Sequence, residues 1–122
     1  MRSFSCVLFA IASVLAMHPS LLVLDEPSAN LDPRTRRELM ETLDAIDRTL
    51  VIVTHDLPLA AMLCERAVLL SAGRIVADGP TRELLEDEQL LAANDLELPE
   101  GFSLRSLPAS PRSRPAASPS AP

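Results

Sequence analysis

The chain has 122 residues, enough for one domain at most. Its formal charge of −6, from 17 acidic against 11 basic residues, excludes a generally basic nucleic-acid-binding surface. Two cysteines, Cys6 and Cys64, exclude a disulfide framework and fit a reducing compartment.

The first 18 residues offer two readings. Met1-Arg2, the apolar stretch Phe4 to Ala16 and its Val14-Leu15-Ala16 end resemble a secretory signal, which would make the protein a small secreted one. The same residues fit a buried helix over Ala10 to Met17, stopped at His18-Pro19 because proline cannot continue it. The stretch is too short to span a bilayer.

Ser20 to Asp25 reads as the first strand, an apolar run of the kind buried on both faces of a parallel sheet. It delivers two adjacent carboxylates, Asp25 and Glu26, to the strand's carboxyl end, where open α/β sheets bind ligands. A loop over Glu26 to Leu31 follows. Asp32-Pro33 reads as an N-cap and first helical residue, opening a helix to about Asp47 with Leu39, Leu43 and Ile46 on its apolar face. Arg37 with Glu41 and Asp44 with Arg48 are i,i+4 pairs on the wet side.

Leu50 to Asp56 repeats the pattern of a β-branched run ending in polar residues, and a short helix over about Leu57 to Leu63 follows. Arg66 to Ser71 and Arg74 to Asp78, joined at Ala72-Gly73, read as a hairpin. Gly79-Pro80 breaks the chain, and Thr81 opens an acidic helical segment to about Ala93, interrupted near Asp87. Residues 1–100 are expected to form the ordered part. From Gly101 onward, Pro, Ser, Ala and Arg dominate and a disordered tail is expected over 101–122.

Two parallel strands joined by one helix make a right-handed crossover with both carboxyl ends on one rim. Asp25, Glu26 and His55 should therefore come to one rim, although 29 positions separate the last two. A carboxylate for a cation, a carboxylate to orient water and a histidine donor form a set suited to phosphoryl transfer. Singly, an Asp-Glu-Pro turn and a Thr-His-Asp segment are most simply structural.

With the intervening Ser28-Ala29-Asn30-Leu31-Asp32, the set resembles the ABC ATPases. Residues 21–26 look like the Walker B strand, Ser28 to Asp32 like the D-loop, and Val53 to Asp56 like the H-loop. Gly73 to Thr81 is similar to the strand and turn after the H-loop of importer ATPases, and the continuation through Leu96 to Pro99 looks most like the cobalt or energy-coupling-factor branch. The resemblance covers about Ala10 to Pro99 and implies an α/β fold, part of a P-loop NTPase sheet with flanking helices. It implies ATP and Mg²⁺ as cofactors. Asp25 would hold Mg²⁺, Glu26 would polarise the attacking water, and His55 would contact the γ-phosphate. Asn30 and Asp32 would act across a head-to-tail dimer with a second ATPase subunit. The implied partner is a membrane-embedded transporter subunit at the inner face of the cell membrane. Nucleic acid is not an implied partner, and cobalt, nickel or another micronutrient is the implied cargo.

The sequence departs from that pattern in two places. A Walker A loop needs a glycine-rich backbone cradle and a lysine, yet the chain has no lysine and no glycine before Gly73. Met1 to Phe9 does not match the Gly-Gly signature segment. A truncated or frame-shifted gene, or a fragment acting with another chain, would each explain this. Three expectations follow: no ATP turnover by the chain alone, apolar strand surface left open, and, as an alternative function, a non-catalytic interaction module. A DNA-repair type ABC ATPase is disfavoured by the hairpin and the Gly-Pro-Thr turn after His55.

Overall fold

The computed structural model describes residues 2–107, in two compact units that divide between Asp56 and Leu57. The first unit holds α1 (Arg2–Leu15), β1 (Leu21–Asp25), α2 (Pro33–Ala45) and β2 (Thr49–Val53). The second holds α3 (Leu57–Leu63), β3 (Arg66–Ser71), β4 (Arg74–Pro80), α4 (Thr81–Glu86), α5 (Glu88–Ala93) and a 3-10 turn at Leu104–Ser106.

In the first unit β1 and β2 pair in parallel, from Leu21 opposite Thr49 to Asp25 opposite Val53. Their β-branched and leucine content suits a pleated surface, and the helical crossover lets them run in the same direction. Helix α2 starts where expected. Asp32 is its N-cap and accepts a hydrogen bond from the Thr35 N–H at 3.2 Å, with Pro33 in the first turn. Its inward face is Leu39, Met40 and Leu43, all buried; Ile46 falls at the C-cap, past the helix end, and is only half-buried.

In this unit the strands leave apolar surface open, as the missing cover implied, while a strand dry on both faces and a buried first helix are not found. Only Leu22 of the strand pair is buried, with Leu24, Leu50 and Ile52 half-buried beside it. On the opposite face Leu21, Val23, Val51 and Val53 lie 45 to 60 % exposed, because no element among the described residues of the unit covers them. Helix α1 forms over a longer span than expected, but among its described side chains Ile11 alone is buried, while Phe9 and Val14 face solvent. The apolar sequence was written for a dry setting that these residues do not build by themselves.

In the second unit the hairpin register runs from Arg66 opposite Pro80 to Ser71 opposite Arg74. The two turn residues, Ala72 and Gly73, have φ of 49° and 75°. Positive φ at both positions is what a two-residue hairpin turn of matching twist requires. A bulge at Leu69/Leu70 sets Val76 out of register. The α3–α5 helices and the 3-10 turn close around Leu57, Ala61, Leu85, Leu91 and Leu104. Asp87 separates α4 from α5 and caps the latter through the Leu90 N–H at 3.0 Å. Helix α5 ends with Asp95 left-handed and the Leu96 N–H returning to the Leu91 carbonyl, a Schellman-type stop.

The absence of regular structure expected from Gly101 onward needs correction over its first residues. Leu104 is buried, and Phe102 and Leu107 lean on the same core, so apolar side chains at 102, 104 and 107 outweigh the local composition. Residues 108–122, which carry the rest of that expectation, lie outside the described residues.

Candidate functional site

The site lies within the first unit, where β1 and β2 end side by side. Glu26 follows β1 directly with φ of 45°, and its N–H extends the strand ladder by donating to the Val53 carbonyl at 2.7 Å. The left-handed backbone is costly for a residue with a Cβ, and such outliers gather at functional positions. Here it turns the Glu26 carboxylate towards residues 54 and 55. Oε2 accepts from the Thr54 hydroxyl at 3.1 Å, and Oε1 accepts from the His55 N–H at 3.0 Å. The His55 Nδ1 also meets Oε1, and its ring is otherwise open to solvent, 88 % exposed. Partial desolvation pushes the Glu26 pKa up. The hydrogen bonds from His55 and Thr54 outweigh it and hold the carboxyl below its ordinary value.

The expected meeting of Glu26 and His55 across 29 positions is therefore present. Asp25 ends β1 opposite Val53, on the open face of the strand pair, and is exposed. Asn30 is exposed with φ of 61°, in the turn before α2. Asp32 faces its own helix. Besides the backbone bond, its carboxylate accepts from the Thr35 hydroxyl at 2.5 Å, and these bonds lower its pKa. Asn30 and Asp32 thus flank the Glu26–His55 pair without joining it.

A second cluster beside the site was not foreseen. Asp56 accepts from Arg36 through both prongs of the guanidinium, Nε to Oδ2 at 2.7 Å and Nη2 to Oδ1 at 2.5 Å. Ser28, only 9 % exposed, donates to Oδ2 at 2.9 Å. The Asp56 N–H in turn bonds the Thr54 hydroxyl at 2.9 Å. Sequence spacing gave no signal for it, since Arg36 on a helix face reads as solvated and Asp56 as part of a turn.

As support for a cation, Asp25 fits: Mg²⁺ commonly takes one or two carboxylates and fills its remaining positions with water and phosphate oxygens. No group of three metal-binding side chains occurs among the described residues. The residues do not fit a nucleotide's phosphates, because the sequence offers neither the glycine-rich loop nor the lysine.

Residues 5–61 match the family profile described as "AAA domain, putative AbiEii toxin, Type IV TA system". An ABC transporter ATP-binding protein of Streptomyces coelicolor is 59 % identical over 101 residues, covering 83 % of this chain and 39 % of that protein. The chain is a segment of the ABC transporter ATP-binding family. The energy-coupling factor transporter ATP-binding protein EcfA2 of Ligilactobacillus salivarius is 38 % identical over 95 residues, covering 75 % of this chain and 33 % of that one. Among solved structures, cbiO1 of Clostridium perfringens, part of the ABC transporter complex cbiONQ, superposes with a TM-score of 0.58 at 34 % identity, covering 74 % of this chain and 38 % of that one. The α/β class and partial ABC-ATPase fold expected from the sequence agree with that likeness. The chain spans less than two-fifths of the length of these relatives.

Proposed function

We propose that these residues supply the hydrolytic half of an ABC importer's ATP-binding subunit, and that they need phosphate-binding residues from elsewhere to turn over ATP. The carrying observation is the Glu26 carboxylate gripped by Thr54 and His55 at the shared rim of two parallel strands. In this reading β1 through Glu26 acts as Walker B, Ser28 to Asp32 as the D-loop, and residues 53–56 as the H-loop. Were nucleotide and Mg²⁺ held with residues from elsewhere, Asp25 would support the ion, Glu26 would polarise water and His55 would contact the γ-phosphate. Like any ordinary carboxylate, Glu26 is ionised at neutral pH, and the hydrogen bonds from His55 and Thr54 lower its pKa further.

The implied assembly is a membrane-embedded subunit with a second ATPase subunit, at the inner face of the membrane. The EcfA2 and cbiO1 likenesses support an energy-coupling-factor type of ABC transporter, and cobalt, nickel or another micronutrient is the cargo proposed in this reading. No helix among the described residues is long and apolar enough to cross a membrane. The family profile begins at residue 5, inside the apolar α1 stretch, which favours a domain helix there over a secretory signal.

The test is a hydrolysis assay of the purified chain, alone and mixed with the amino-terminal part of the Streptomyces coelicolor relative. The expected result is no turnover alone and turnover in the mixture that Glu26→Gln and His55→Ala abolish. Glu26-dependent turnover by the chain alone would overturn the dependence on outside phosphate-binding residues. A second reading, a non-catalytic interaction module, is favoured by the missing phosphate cradle; copurification with a membrane subunit and no turnover in the mixture would select it.

A further inference from the structure

The hydrogen bonds around Asp56 form a continuous path into the site, and the path starts at a side chain that touches neither Glu26 nor His55. Arg36 sits one turn into α2, anchored at its own backbone by an N–H to the Asp32 carbonyl at 2.9 Å. Its guanidinium reaches 20 positions along the chain to hold both oxygens of Asp56. Planar, two-pronged pairs fix orientation as well as distance, which a single ammonium contact cannot do. Ser28 adds a third donor from the loop just after Glu26. Asp56 passes the constraint to Thr54 through its own N–H, and Thr54 passes it to Glu26 through its hydroxyl.

We propose that Arg36 is a positioning residue: its grip on Asp56 sets the Thr54–Asp56 turn, and through that turn the placement of the Glu26 carboxylate and the His55 ring. The consequence rests on reading Glu26 and His55 as the working pair. The geometry explains why Arg36 is partly buried, with 31 % of its side chain exposed against 86 % for Arg34 on the same helix. It also explains how a strongly exposed histidine keeps one placement: its backbone is fixed from both sides, by Glu26 at its own N–H and by the Asp56 anchor one residue later. Since the Arg36 segment follows the Ser28–Asp32 loop directly, any displacement of that loop and α2 is transmitted to His55 by the same path.

The experiment is amide-proton exchange by NMR on the intact chain, comparing wild type, Arg36→Gln, Arg36→Lys, Ser28→Ala and Arg34→Gln. Arg34 pairs with Glu38 on the exposed side of α2 and controls for loss of a helix charge. The readouts are the His55 and Asp56 N–H groups, bonded to Glu26 and Thr54, against the Glu26 N–H, which belongs to the strand ladder. The expected result is at least tenfold faster exchange at residues 55 and 56 in Arg36→Gln, a smaller effect in Ser28→Ala, and partial rescue by Arg36→Lys, with the Glu26 N–H and the Arg34→Gln protein as in wild type. Arg36→Lys retains the charge and loses the fork, so it reads the same constraint if Arg36→Gln folds poorly. Wild-type exchange at 55 and 56 in both Arg36 variants, or uniform acceleration that includes the Glu26 N–H, would overturn the proposal. The measurement needs no nucleotide. Loosened turns together with Glu26-independent turnover in the mixed hydrolysis assay would defeat the functional reading and leave the positioning role standing.

Discussion

The two units are built from the same kinds of residue and end up with opposite characters. The second unit, residues 57–107, closes an apolar core from short helices and a 3-10 turn, with Leu57, Ala61, Leu85, Leu91 and Leu104 all buried. The first buries α2 and one face of β1 but leaves four β-branched or leucine side chains of the strand pair half open, and concentrates its polar bonding at one rim. One region is finished as a packing unit. The other is finished only as a polar site. The lesson is that hydrogen-bonded placement of a site can be complete while the sheet beneath it still presents an uncovered face.

Core truncations should test that contrast most strongly. Leu39→Ala in the first unit and Leu85→Ala in the second remove buried side chains, 0 % and 5 % exposed. Each should cost about 2–5 kcal/mol, read as a lower urea midpoint. A loss near zero for Leu39 would mean that α2 packs against nothing of consequence. Val23→Ala, at 60 % exposure, should instead cost about 0.5 kcal/mol or less, despite lying in an apolar strand. A core-sized loss there would show that the open face is covered in solution. The same face predicts self-association: light scattering should find oligomers whose size falls on substitution of Val23 and Val51 by Thr, and a stable monomer would contradict the exposure.

The smallest expected effect concerns Asp32. Thr35 hydrogen bonds place its pKa below the ordinary 3.8, so its contribution is complete above that value and disappears as the pH falls through the lower folded-state value. Asp32→Asn keeps a capping oxygen without the titration and should flatten the acid limb of an α2 helicity curve. Equal acid limbs in both proteins would remove Asp32 as the titrating cap.

Local patterns were readable from the sequence where local chemistry decides the structure. The Asp32-Pro33 helix start, the Ala72-Gly73 turn and the break at Asp87 each rest on one or two residues with a strong backbone preference. The Glu26–His55 meeting was readable because strand, crossover and strand leave one topology for the two carboxyl ends. The open strand face was legible once the cover that the resembled fold supplies was seen to be missing, whereas the exposure of α1 was not, since periodicity tells which residues want cover and never whether a neighbour supplies it. Leu21, Val23, Val51 and Val53 have the composition of a dry strand pair and the exposure of a surface. The Arg36–Asp56–Ser28 cluster was hidden for a different reason: its members are ordinary polar residues 8 to 28 positions apart, and only the folded crossover brings them together. The packing of Phe102, Leu104 and Leu107 was obscured by the proline-rich composition that follows them.

The central claim is that the rim formed by Glu26, Thr54 and His55 is a hydrolytic half-site that needs a phosphate cradle from outside these residues. The most direct measurement is ATP turnover by the wild-type chain and Glu26→Gln, each alone and each mixed with the amino-terminal part of the Streptomyces coelicolor relative. The account predicts no turnover by either protein alone, and turnover in the wild-type mixture that the Gln variant lacks. Glu26-dependent hydrolysis by the chain alone, or equal hydrolysis by both mixtures, would contradict it.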